Sequence, residues 1–213
     1  KKVVEPSDAA KVMFVNAIPE YRSVDIEGKI AKYPNISYDN AEYKYNLMLH
    51  GTNTVRFLNS DDGSVLFNVF VELHKDFYYT FIGYGTGSPD RQKTLLVRDS
   101  IEHFTADFAY IRFINVWSNK ENDIETPPAG FEFSGETTFA DTLNTGAAGG
   151  FYEIQPGRIF NLMIRDSKTG ENITMLDGIE ARAGFIYNFI LRGYAGSPNG
   201  SGTELLTARV AIP

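Results

Sequence analysis

A chain of 213 residues that is 43% hydrophobic and 14% aromatic carries enough apolar mass for packed cores, which excludes global disorder. The net charge of −7 divides as −2 over residues 1–105 and −5 over residues 106–213, so neither half offers the basic surface that nucleic acid or an anionic membrane attracts. The complete lack of cysteine removes disulfides, thiolate metal sites and cysteine nucleophiles together.

The chain opens with Lys1-Lys2-Val3-Val4-Glu5-Pro6, without an initiator Met or a signal-peptide apolar region, and reads as the edge left when a leader is removed. No apolar run approaches the roughly 20 residues that cross a bilayer. Val12, Phe14 and Asn16 alternate with Met13 and Val15, a strand apolar on both faces as at the centre of a sandwich. The segment Tyr38 to Met48 comes nearest to a helical pattern, yet it is rich in tyrosine, asparagine and β-formers. Asn53 to Asn59 alternates, Ser60-Asp61-Asp62-Gly63 supplies a hairpin turn, and Ser64 to Val71 resumes the extended pattern. Phe77 to Tyr84 is an aromatic strand, and a further strand is expected near Lys93 to Arg98. Ile101 to Asp107 is a short polar joint.

After that joint the chain repeats itself. Lys11-Val12-Met13-Phe14-Val15-Asn16 returns as Tyr110-Ile111-Arg112-Phe113-Ile114-Asn115, and Tyr79-Thr80-Phe81-Ile82 returns as Tyr187-Asn188-Phe189-Ile190. Gly87-Ser88-Pro89 returns as Gly196-Ser197-Pro198, and Val24-Asp25-Ile26-Glu27-Gly28 is echoed by Phe131-Glu132-Phe133-Ser134-Gly135, which sets Glu132 in the place of Asp25. The second hairpin runs from Ile159 to Arg165, turns at Asp166-Ser167-Lys168-Thr169-Gly170 and resumes at Asn172. The aromatic strand Phe185 to Leu191 and a last strand near Glu204 to Ala211 follow. The offset between copies grows from 99 to 109 residues, the length of a domain and far more than a solenoid unit. The expected architecture is all-β: two tandem Ig-like or transthyretin-like antiparallel β-sandwiches, residues 1–104 and 105–213, with six or seven strands each.

A first strand ending in Phe14-Val15-Asn16-Ala17 or Phe113-Ile114-Asn115-Val116, followed by a loop and Val24-Asp25-Ile26-Glu27-Gly28, resembles domain-of-unknown-function family 4397. The strand Tyr79-Thr80-Phe81-Ile82-Gly83 and the second opening Ala109-Tyr110-Ile111-Arg112-Phe113-Ile114-Asn115 strengthen the resemblance, which covers residues 10–210. It implies an exported bacterial protein of the Bacteroidetes type, lipid-anchored through a cysteine standing before Lys1, and carries no catalytic residues over. The second copy departs from the first by a longer first loop, Ser118 to Gly130. Asp99-Ser100-Ile101 and Asp141-Thr142-Leu143 are similar to the acidic-hydroxyl-apolar acceptors of O-glycosylation in such proteins.

Chemistry-bearing clusters are sparse. His50, His74 and His103 share no catalytic spacing and read as exposed loop residues, and there is no Gly-x-Ser-x-Gly. Asp61-Asp62 with Asn59 offers oxygen donors, but its spacing fits an Asp-Gly turn better than a calcium loop. Glu121, Asp123 and Glu125 form an acidic loop beside Asn119 and Asn122. Tyr33, Tyr38, Tyr43 and Tyr45 crowd one polar segment, and Trp117, the only tryptophan, follows the repeated strand. Rings with polar rims are what sugar and peptide surfaces are recognised by, so Tyr38, Tyr43, Tyr45 and Trp117 form the candidate ligand site. Packing across strands is the competing reading for the same residues. The expectation is a non-enzymatic cell-surface or periplasmic module without metal or cofactor, binding glycan or a surface protein through end loops. An architectural spacer or adhesin that uses sheet edges is the alternative.

Overall fold

In the computed structural model, residues 6–39, 44–86, 91–99, 103–117, 128–134, 140–193 and 203–212 are described. The chain divides into two compact units, Lys1–Ile101 and Glu102–Pro213. Both are built from β-strands, and the first strand is preceded by a three-residue 3-10 turn, Pro6–Asp8.

The first unit runs β1 (Ala9–Ala17), β2 (Ser23–Glu27), β3 (Lys32–Ser37), β4 (Asn46–Leu49), β5 (Gly51–Asn59), β6 (Val65–Leu73), β7 (Tyr78–Gly85) and β8 (Gln92–Asp99). These form two sheets, ordered β4-β1-β7-β8 and β3-β2-β5-β6. The second unit runs β9 (Ala109–Asn115), β10 (Ala129–Ser134), β11 (Ala140–Leu143), β12 (Ala147–Ala148), β13 (Tyr152–Ile154), β14 (Ile159–Asp166), β15 (Asn172–Glu180), β16 (Phe185–Gly193) and β17 (Thr203–Ala211). Its sheets repeat the plan as β12-β9-β16-β17, with β13 also on β9, and β11-β10-β14-β15.

Alternation sends one set of side chains from each sheet into a shared core, which is what makes each unit a sandwich. In the first unit Val12, Phe14 and Phe81 meet Val24, Ile26, Val55, Phe57 and Val71. In the second, Ile111, Phe113, Phe189 and Leu191 meet Ala129, Phe131, Leu162 and Ile164. β1 is buried on both faces, with Lys11 alone half-buried. The sheets are antiparallel except at one place in each unit, where the first strand lies parallel to the penultimate one. Phe14 is opposite Phe81 there, and Phe113 is opposite Phe189.

Three local devices recur. The buried Asn16 donates to the Tyr21 carbonyl (2.8 Å) and accepts from the Ile18 N–H (3.1 Å). Asn115 likewise donates to the Leu143 carbonyl (2.8 Å) and accepts from the Trp117 N–H (3.1 Å). Each satisfies backbone groups where the chain leaves the first strand. The hydroxyls of Tyr79 and Tyr187 each accept the backbone N–H five residues upstream, from His74 (3.1 Å) and Arg182 (3.0 Å), in the manner of a tyrosine corner. Both hairpins close alike. Gly63 and Gly170, at φ 74°, donate to the carbonyls of Asn59 and Asp166 at 2.8 Å.

The copies match in a register different from the sequence echo. Ser60 N–H donates to the Ser23 carbonyl, and Ser167 N–H to that of Pro128, so Ala129-Gly130-Phe131 stand where Val24-Asp25-Ile26 stand. Gly130, not Glu132, therefore occupies the place of Asp25. A slip of two residues preserves which side chains face inward, and alternation alone cannot detect it.

Candidate functional site

Of the four predicted ligand residues, Tyr38 and Tyr45 belong to the first unit and Trp117 to the second. Tyr38 follows β3, where its N–H closes the β2–β3 ladder on the Arg22 carbonyl (2.7 Å), and its side chain is buried at 2% exposure. A ring so enclosed has no face left for a ligand, which corrects its assignment. Tyr43 lies outside the described residues. Tyr45 is half-buried. Its hydroxyl donates to Asp99 Oδ2 (2.9 Å), and its ring stands edge-on to Tyr78 at 4.9 Å. Thr80 Oγ1 donates to the same carboxylate oxygen (2.8 Å), and Lys11 Nζ donates to the Tyr78 hydroxyl (2.6 Å). Lys11, Tyr78 and Asp99 are successive partners across β1, β7 and β8, so Tyr45 braces a row of the sheet. Trp117 is half-buried against the second core, and its carbonyl accepts from Thr145 Oγ1 (2.9 Å).

The polar clusters are also absorbed by the fold. His50, His74 and His103 are exposed and sit on separate turns. Asp62 Oδ1 accepts the Ser64 N–H (2.8 Å) and Asn59 Oδ1 the Asp61 N–H (3.1 Å), as turn chemistry requires. Hydrogen bonding from Ser64 holds the Asp62 carboxyl below its ordinary pKa. The acidic loop Glu121, Asp123 and Glu125 lies outside the described residues, as does Ser100, while Thr142 is exposed on β11.

Asp25 is a buried carboxylate held by three donors. It accepts from the Asn35 N–H (2.9 Å), Ser60 Oγ (2.7 Å) and Lys32 Nζ (2.7 Å). Desolvation pushes its pKa up. The bonds from Lys32, Asn35 and Ser60 outweigh that and hold the carboxyl below its ordinary value. Asn35 adopts a left-handed φ of 58° inside β3, at a break in the β2–β3 register. Asp25 thus pins an irregular sheet edge, a structural task.

The surface carries a clearer signal at another edge. In β6 the core phase is Phe67, Val69, Val71 and Leu73, and the outward phase is Asn68, Phe70 and Glu72. Phe70 is 78% exposed, the most exposed large hydrophobic side chain among the described residues. It faces Thr54 on β5 and stands between Asn68, opposite Arg56, and Glu72, which accepts from Thr52 Oγ1. β6 is an outer strand, paired with β5 in an unbroken run from Gly51–Leu73 to Phe57–Phe67.

The other long edges carry protective features along their length, whereas β6 is bulged only at Leu66 and runs regularly from Phe67 to Leu73. β3 contains Pro34 and the left-handed Asn35, and β15 is bulged, with Gly178 at φ 67° donating to Asn161 Oδ1 (2.9 Å). β8 carries Lys93 and Arg98, and β17 carries Glu204 and Arg209. Such features are how edges avoid unwanted pairing. The nine residues of β6 hold one charge, Glu72, and no proline or glycine. The signal was present in the sequence, since a phenylalanine in the polar phase of an alternating strand faces solvent.

Sandwich units of this plan define a class by fold alone. No family model matches the chain, and no curated protein does. Solved structures that resemble it include a provisionally named cell adhesion protein from Bacteroides uniformis, at 11% identity and a TM-score of 0.33, covering 98% of this chain and 100% of that one. The family 26 carbohydrate-binding module CBMbc from Eubacterium rectale Amy13K, solved with maltoheptaose, matches at 12% identity and a TM-score of 0.26, over 95% and 97% of the two chains. A provisionally named adhesin from Bacteroides ovatus matches at 11% identity and a TM-score of 0.22, over 93% and 94%.

Proposed function

We propose that this chain is a non-enzymatic interaction module that engages protein through a sheet edge. The observation that carries the reading is β6, an edge strand that is regular from Phe67 to Leu73, holds one charge and no proline or glycine, and turns Phe70 to solvent. An added strand gains main-chain hydrogen bonds along the open edge, and Phe70 supplies an apolar anchor beside them. The use of Asp25 and Asp62 in structural bonds fits the same reading. The likeness to family 4397 adds an exported, lipid-anchored protein on a bacterial surface or in the periplasm as the setting.

The test is a display library of extended nonapeptides, screened against the wild-type chain and Phe70→Glu, run beside a glycan array with wild type and Trp117→Ala. Strand-forming peptides that bind the wild type and lose Phe70→Glu are the expected result. Specific glycan binding abolished by Trp117→Ala, with no peptide selected, overturns the proposal in favour of a sugar-binding module.

A further inference from the structure

We infer that the strand received by β6 is β6 of a second copy, paired antiparallel about a two-fold axis through Phe70. This rests on β6 being the working edge. The argument is one of self-complementarity, which a two-fold interface demands. Centred on Phe70, the pairing sets Phe70 against the partner's Phe70, Val69 against the partner's Val71, and Phe67 against the partner's Leu73. The outward face then pairs Glu72 with the partner's Asn68, a carboxylate facing an amide donor. Asn68 itself lies beside Arg56 on β5, which is ion-paired with Glu27 (3.7 Å), so the amide is the group the incoming carboxylate meets.

Other registers are poorer. An axis through Val69 leaves Phe70 opposite the partner's Asn68 and Glu72 opposite the partner's Leu66, an aromatic ring facing an amide and a charge facing an apolar side chain. An axis through Val71 sets Phe70 against the partner's Glu72 on both sides. An axis through Glu72 faces like charges directly, which is destabilising. The Phe70 register alone sets ring against ring and carboxylate against amide. It also covers Phe67 and Val69, core-phase residues that the open edge leaves half-buried. The product is a continuous eight-stranded sheet made from β3-β2-β5-β6 of each copy.

The chain has no cysteine, so single cysteines report register without interference. Directly opposite Cβ atoms in an antiparallel pair are about 4.5–5.5 Å apart, close enough for a disulfide to form with small adjustment. Sedimentation velocity over a concentration series is expected to show a reversible dimer that Phe70→Glu abolishes. Under mild oxidation Phe70→Cys is expected to cross-link to itself. Asn68→Cys and Glu72→Cys are expected to cross-link to each other when mixed, and neither to itself. A wild-type chain that stays monomeric, a dimer that survives in folded Phe70→Glu, or a dimer in which Phe70→Cys fails to cross-link overturns the inference. If the chain is monomeric but nonapeptides still select β6, only the second-copy inference falls. If neither is seen, the edge reading falls with it.

Discussion

Phe57 and Gly83 fill one region of the first core as a large and a null side chain. A Cβ built on Gly83 would lie 2.6 Å from Phe57 Cε1 and 3.1 Å from its Cδ1. Phe57 has little room to yield, being fully buried, stacked on Phe67 at 4.4 Å and edge-on to Phe81 at 5.6 Å. In the second unit the equivalent places hold Ile164, two residues before the hairpin-opening Asp166, and Leu191, two residues after the central Phe189. Gly83→Leu alone is an overpacking change expected to cost about 2–3 kcal/mol. Phe57→Ile alone leaves a cavity worth about 2 kcal/mol, a part of the ~3–5 kcal/mol of full truncation to alanine. The double variant copies the second unit's pair and is expected to cost only about 2 kcal/mol, a coupling of about 2–3 kcal/mol between touching residues. Urea titration read by hydrogen exchange and mass spectrometry separates β5 and β7 peptides from those of β14 and β16, which serve as an internal reference. A double variant whose cost equals the sum of the singles refutes the packing argument.

Three further outcomes follow from the polar framework. The folded Asp25 carboxyl titrates below its ordinary 3.8, so its bonds stabilise the first unit above that value. That contribution is lost as pH falls through the lower folded pKa; Asp25→Asn should remove this part of the acid sensitivity, measured as unfolding midpoints across the acid range. Asn115→Ala should cost the second unit about 1–3 kcal/mol by stranding buried backbone groups, with a red shift of Trp117 fluorescence before the main transition. Tyr79→Phe and Tyr187→Phe should each cost about 0.5–1.5 kcal/mol, confined to the variant's own unit in exchange measurements.

Much of the fold was legible. The hairpin turns at Ser60 to Gly63 and Asp166 to Gly170 and the aromatic strands stand where the turn residues and alternation put them. Signals of that kind are local, each readable within a few residues. The parallel pairing of β1 with β7 was not legible, because Phe14 and Phe81 find each other across the length of the unit and leave no local mark. The echo of Asp25 in Glu132 failed for the reason already seen: parity survives a two-residue slip. The candidate site fared worse. Tyr38, Tyr45 and Trp117 carry amphipathic side chains that serve a core or a cross-strand brace as readily as a ligand, and their type does not decide which. Phe70 was legible from its phase in an alternating strand, since a phenylalanine among the polar positions faces solvent.

The parallel pairing has a mechanical consequence. Because β1 runs with β7 and against β8, Lys11, Tyr78 and Asp99 share one rung, and the first unit's chain enters and leaves at the same end of that sheet. Ala109, Phe185 and Ala211 share a rung in the same way. Tension drawn between the ends of either unit loads that outermost rung first and peels the pairs of β1–β7 and β7–β8, or of β9–β16 and β16–β17, one after another rather than shearing them together. Each unit is then a link that lengthens at low force, in steps that single-molecule pulling can count.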